Sequence, residues 1–124
     1  MRLLLDAHAF LWWLTGSRAL SVPARHAVAD PGNEVLIGIG TLWELTIKRS
    51  LRKLNFPHDL ENVVRDEGFT VLGITLAHLR MLESLPHLHR DPFDRLLIAQ
   101  SLTEQVPIIT GDREFGAYGP ILIW

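Results

Sequence analysis

The sequence contains no cysteine, which excludes a disulfide framework, a thiolate nucleophile and any thiolate zinc site. A chain of that kind suits a reducing compartment. Positive charge is not in excess either: 12 Lys and Arg stand against 14 Asp and Glu, a formal net charge of -2. A protein that held nucleic acid by bulk charge would be strongly basic. Any such role here must rest on a local basic rim or on a bound metal. Long hydrophobic runs are missing too. The longest uncharged apolar stretches, residues 9–14 and 35–43, are far too short to span a bilayer. Asp6 and His8 interrupt what would be the apolar part of a signal segment. These absences predict a soluble, cytoplasmic protein with no membrane role.

What is present describes one globular domain over residues 1–124, with 48% hydrophobic and 21% charged residues. At that length roughly two-thirds of the unfolded surface is buried on folding. No repeat, linker or low-complexity tract interrupts it. Arg2–Leu5 reads as a buried strand ending at Asp6, and Phe10, Leu11, Trp13 and Leu14 keep a helical spacing until Gly16. Ser21-Val22-Pro23 opens a second helix, and Asp30-Pro31-Gly32-Asn33 is a turn. Val35–Ile37 predicts a strand and Thr41–Leu54 a helix. Further helices are expected over 58–67, 76–85 and from Asp91 to Glu104, with strands at 69–72, 106–109 and, at an edge, 121–124. Strands alternating with helices call for an α/β fold, a three-layer α/β/α sandwich around a mainly parallel sheet.

In an open parallel sheet, ligands collect outside the carboxyl ends of the strands. The polar residues following the strands are acids. Asp6 ends the first strand, and Asp112 lies three residues beyond Ile109. Glu44 sits in the helix after the second strand, and Asp94 in the helix that feeds the strand before Asp112. If the strand order brings these ends together, four carboxylates share one cleft, with no lysine or arginine evidently placed to neutralise them all. Such a group persists only when protonated or bound to a cation. Oxygen-only ligands select hard cations, and Mg²⁺ or Mn²⁺ fits best. Metal-assisted phosphodiester hydrolysis, with water as nucleophile, is the implied chemistry.

A plainer reading is open for each acid. Thr41-Leu42-Trp43-Glu44 has the layout of a capping box, and Asp91-Pro92-Phe93-Asp94 repeats it with Asp91 as cap. Asp6 can be an ordinary residue at the end of a strand, and Asp112 can cap a short helix through Phe115.

Four blocks carry a family resemblance: Leu4-Leu5-Asp6-Ala7-His8-Ala9-Phe10-Leu11-Trp12, Leu42-Trp43-Glu44-Leu45-Thr46-Ile47-Lys48, Asp91-Pro92-Phe93-Asp94-Arg95-Leu96-Leu97-Ile98-Ala99-Gln100 and Thr110-Gly111-Asp112. In order and spacing the chain resembles the PIN-domain family, and within it the ribonuclease toxins of VapBC toxin–antitoxin modules. The resemblance implies that Asp6, Glu44, Asp94 and Asp112 form the Mg²⁺/Mn²⁺ site of a ribonuclease, with Asp6 and Asp94 as principal ligands. It also implies RNA as substrate, a small VapB-like antitoxin as partner, and a homodimer. Two departures stand out. Ala7 and Gly38 occupy positions where the family often carries a hydroxyl, which leaves room for a catalytically degenerate member that only binds RNA or its antitoxin.

Other residues divide the same way. Lys48, Arg49, Arg52 and Lys53 form a basic helical stretch, either a solvated face or a phosphate contact. Arg90, Arg95 and Arg113 flank the acids, and Arg95 is the first choice for an RNA phosphate or for balancing the carboxylates. His87-Leu88-His89 reads as a solvated loop, since no third ligand stands at a legible spacing. His8 is expected to pack at its helix start, and Phe10, Trp12, Trp13 and Trp43 to lie in the core. Adjacent tryptophans cannot both point inward, so one of the pair is expected to line a groove or interface. Gly38-Ile39-Gly40 follows a strand, but the third glycine of a dinucleotide fingerprint would fall at Trp43.

Overall fold

A computed structural model describes residues 1–124. Five strands, β1 (Arg2–Leu5), β2 (Glu34–Gly38), β3 (Thr70–Leu72), β4 (Ile108–Ile109) and β5 (Leu122–Ile123), form one sheet in the order β3-β2-β1-β4-β5. Every pairing is parallel. Helices α1 (Ala7–Thr15), α2 (Val22–Ala29), α3 (Ile39–Ser50), α4 (Leu60–Asp66), α5 (Leu76–Ser84) and α6 (Pro92–Glu104) connect the strands, and a 3-10 helix spans Arg113–Tyr118.

The three layers follow from side-chain alternation along the strands. Leu3, Leu5, Val35, Ile37 and Ile109 enter one cluster with Phe10, Ala24, Leu60 and Val64, contributed by α1, α2 and α4. Leu4, Leu36 and Ile108 point the other way, into a cluster with Leu97, Ile98 and Phe115 from α6 and the 3-10 helix. Strands covered on both faces have no polar face to show, which is why β1 and β2 read as continuous apolar runs.

Connectivity then fixes where the sheet can open. From β1 the chain steps outward through β2 to β3. It returns across the opposite face through α5 and α6 and lays β4 on the other side of β1. The order therefore reverses between β1 and β4, and at such a switch point a crevice forms outside the carboxyl ends.

Helix α3 departs from its expected bounds at both ends. It begins at Ile39 behind Gly38, because Gly40 lets it press against α6: a Cβ there would meet Leu96 Cδ2 at 2.6 Å. It stops at Ser50 in a Schellman motif. Arg52 takes φ 56°, and the Lys53 amide bonds the Lys48 carbonyl at 2.8 Å. A non-glycine in that position gives no stop signal in sequence. Helix α4 is also shorter than expected, capped by Asp59, and β4 keeps two of the four residues assigned to it.

Candidate metal centre

The four expected acids line one hollow of about 120 Å³ at the switch point. Asp6 leaves β1 directly into the N-cap of α1. Its Oδ1 accepts the Ala9 amide at 2.7 Å, and the Thr110 hydroxyl lies near enough to favour its charged form. Thr110 Oγ1 accepts the amide of Asp112 at 3.0 Å. Asp112 caps the 3-10 helix, its Oδ1 accepting the Glu114 amide at 2.9 Å. Capping and clustering are thus compatible for these two acids.

The other two acids are not spent on caps. Gly38, not Thr41, is the N-cap of α3, so Glu44 lies in the second turn and the expected capping box does not form. At the start of α6, Asp91 does the capping: its Oδ1 accepts the amides of Phe93 (2.8 Å) and Asp94 (3.1 Å). The Asp91 amide donates to His89 Nδ1 at 3.1 Å rather than to Asp94. The Asp94 carboxylate, one turn in and half-buried, is left facing the cleft.

Electrostatics register the crowding. Burial pushes the Asp94 carboxyl up to about 7, with the like charges of Asp91, Glu44 and Asp6 adding to the rise and His89 opposing it. Burial also raises the Asp6 carboxyl, against the lowering effects of the Thr110 hydroxyl, the Ala9 amide and His8, and Asp112 adds slightly to the rise. Asp94 thus lies in the field of Glu44 and Asp6, and Asp6 in that of Asp112.

Cations nearby are few. Lys48 sits at the rim with Nζ 3.4 Å from Glu44 Oε2; 44% of its side chain is exposed. One flexible ammonium cannot neutralise four carboxylates. Arg95 is 9% exposed and turned away: its guanidinium donates to the carbonyls of Pro86, Leu82 and Leu85 and to Tyr118 Oη. It serves as a tether and neither balances the acids nor meets them. Arg49 likewise is spent on the carbonyls of Phe56 and His58, while Arg113 stays exposed beside Asp112.

His89, read from sequence as part of a solvated loop, is the residue that reading missed. Its Nε2 lies 3.4 Å from Asp94, 3.8 Å from Asp112 and 3.7 Å from Glu114, while His87 is exposed as expected. His89 Nε2, Asp112 and Glu114 are close enough together to share an ion. The ring tautomer argues otherwise. Because Nδ1 accepts the Asp91 amide, the neutral ring carries its proton on Nε2, which makes that atom a donor to the carboxylates. A His two residues before an N-cap acid was the available signal.

The aromatic side chains are spread over several surfaces. Trp12 stacks on His8 at 5.5 Å and packs near Trp124 at 5.9 Å, and Trp13 donates to Glu67 at 3.0 Å. Phe10 is core, but Trp43 is 59% exposed and meets Phe93 edge-on at 5.2 Å. The position of Gly38 is also accounted for. A Cβ there would come within 3.1 Å of Gln100 Oε1, so an amide fills the space a side chain would take.

The PIN-domain family model matches residues 3–119, and the chain belongs to that family. No curated protein matches it in sequence. Among solved structures it is similar to a chain of VapBC2 from Rickettsia felis bound to a DNA fragment from their promoter. That match has a TM-score of 0.69 and 13% identity, covering 98% of this chain and 97% of that one. It is also similar to a chain of a toxin–antitoxin complex from Klebsiella pneumoniae, with a TM-score of 0.64, 16% identity and coverage of 98% and 95%. At such identities the likeness is one of fold, and it agrees with the all-parallel sheet and its helical layers.

Proposed function

We propose that the protein is a divalent-metal-dependent endoribonuclease and the toxin of a toxin–antitoxin pair. The observation that carries this reading is the convergence of Asp6, Glu44, Asp94 and Asp112 at the sheet's switch point, with burial and mutual repulsion raising two of their pKa values. Unpaired carboxylates in such a place are stabilised by a cation, and an all-oxygen donor set fits Mg²⁺ or Mn²⁺. Asp6 and Asp94 would hold it, with Glu44 and Asp112 completing the shell directly or through water. When bound, the metal supplies Lewis acidity toward a phosphoryl oxygen and a water nucleophile at neutral pH. The protein's own part is orientation. The Ala9 amide fixes Asp6, the Glu114 amide fixes Asp112, and the Asp91 cap sets the first turn of α6 so that Asp94 faces the cleft. Lys48 and Arg113 stand at the rim as phosphate contacts.

Thr110 bears on the degenerate alternative. The Thr110 hydroxyl lies near Asp6, from β4's end rather than from position 7, and this supports the active reading despite Ala7. We extend the reading to a cytoplasmic setting, a VapB-like antitoxin and a homodimer. The two structural neighbours are chains of toxin–antitoxin complexes, and Trp43 leaves a large aromatic surface open.

Glu44→Gln tests the metal reading, because Glu44 has no capping duty to lose. Mg²⁺-dependent RNA cleavage is expected to fall at least about tenfold while the fold, followed by circular dichroism, is retained. Unchanged cleavage would remove Glu44 from the site.

A further inference from the structure

Next to the acidic cleft lies a second hollow of opposite character, about 450 Å³, lined by Leu82, His87, His89, Arg90, Pro92 and Arg95. No carboxylate is among its walls, and neither Arg90, Arg95 nor His87 lies within 4 Å of one. His89 links the two: its ring lines the basic hollow while Nε2 approaches Asp94 at 3.4 Å and Asp112 at 3.8 Å, both of which line the acidic one. The loop that carries these side chains is braced from beneath. Tyr118 Oη accepts the amides of Leu88 (3.0 Å) and His89 (2.7 Å) and meets the buried Arg95 guanidinium at 3.3 Å. Arg95 Nη1 also donates to the Pro86 carbonyl at 2.8 Å. Arg95 therefore brings a positive charge whose partners are all neutral, and it holds the loop so that His87 and Arg90 stay exposed above it.

We propose that this hollow binds the RNA backbone phosphate next to the scissile one, with Arg90 and His87 as contacts and Arg95 as a positioning residue. The inference rests on reading the acidic cleft as a ribonuclease site. Its logic is electrostatic. A cleft of four acids in a chain of net charge -2 has no general attraction for a polyanion, so a strand must be gripped beside the metal rather than by the whole surface. Two adjoining hollows, one acidic and one basic, suit two successive phosphates: one reacting, one held.

The test compares Arg90→Ala and Arg90→Lys with the wild type on two substrates, a single-stranded oligoribonucleotide and bis(p-nitrophenyl) phosphate, which has no neighbouring phosphate. Arg90→Ala should raise KM for RNA about fivefold at little-changed kcat and leave the small diester untouched; Arg90→Lys should recover most of the loss. Binding is read separately in an Asp94→Asn background, by anisotropy of the labelled oligonucleotide against salt. There Arg90→Ala should weaken binding about fivefold and lower the salt slope by about one. An unchanged KM, binding and slope, or an equal loss on both substrates, would overturn the subsite. If the wild type cleaves neither substrate, the nuclease reading fails by itself, while the anisotropy arm still decides whether Arg90 grips RNA.

Discussion

The two edges of the sheet treat acidic residues in opposite ways. At the amino edge Glu34 and Glu104 each face a basic side chain: Arg2 lies 4.0 Å from Glu34 and 3.9 Å from Glu104, and His78 Nε2 lies 3.6 Å from Glu104. At the carboxyl edge Asp6, Glu44, Asp94 and Asp112 line one hollow, with Lys48, His89 and His8 as the basic side chains beside them. Both edges belong to one small chain with nearly balanced charge, so the imbalance lies in placement and not in composition. Folding alone would favour the pattern of the amino edge. The carboxyl edge makes physical sense as a place that expects a cation.

The sharpest way to break this contrast is to neutralise the crowded edge. Asp6→Asn combined with Asp94→Asn is expected to lower metal-dependent RNA cleavage by at least about 10²-fold, beyond the loss from a single supporting residue. It should also raise the metal-free melting temperature, since a buried charge and a half-buried one leave the cleft. Millimolar Mg²⁺, which stabilises the wild type by binding only the folded state, should leave the double variant's melting temperature unmoved. Thermal scans with and without metal, beside gel-based cleavage, read all three.

A smaller effect follows from titration. The Asp94 carboxyl is pushed up to about 7 from an ordinary 3.8, so between those values the folded state keeps a proton that the unfolded chain has released. Stability is then largest at the acid end of the window and is lost as pH rises through about 7. The raised Asp6 carboxyl acts in the same direction. In metal-free buffer the melting temperature should fall by a few degrees from pH 5.5 to pH 8, and Mg²⁺ should recover more at pH 8 than at pH 5.5. A melting temperature that rises over this range in the absence of metal would contradict the crowding.

Much of the site was legible because strand and helix punctuation is local. Apolar runs ending in an acid marked β1 and the end of β4, and Asp91-Pro92 marked the start of α6. What escaped depends on tertiary packing. Thr41 is a good cap residue in isolation, but the close approach of Gly40 to Leu96 starts α3 earlier and moves Glu44 off the capping position. Arg95 looked like a phosphate contact because it adjoins Asp94. But α6 is buried on every side from Arg95 to Ser101, because it packs between the sheet and its neighbouring helices, and that burial is tertiary. His89 could not be placed from spacing, since Asp112 and Glu114 come to it only through the crossover that sets β4 beside β1.

The weakest expected effect is the most useful control. Glu104→Gln makes the same change, carboxylate to amide, at the edge where the acid is paired. There the charge helps, modestly, because Arg2 and Glu104 are partly exposed and their contact of 3.9 Å is loose; pairs of that kind contribute about 0–1 kcal/mol. His78 raises the stake slightly. It is fully buried, its Nε2 has no hydrogen-bond partner, and Glu104 is the acid facing it. The variant should therefore lose about 1 kcal/mol or less in denaturant unfolding, keep full RNA cleavage and keep its Mg²⁺ response. The sign is the point: one substitution type destabilises at the amino edge and stabilises the metal-free protein at the carboxyl edge. If both edges responded alike, the four acids would be ordinary surface carboxylates and the case for a cation among them would collapse.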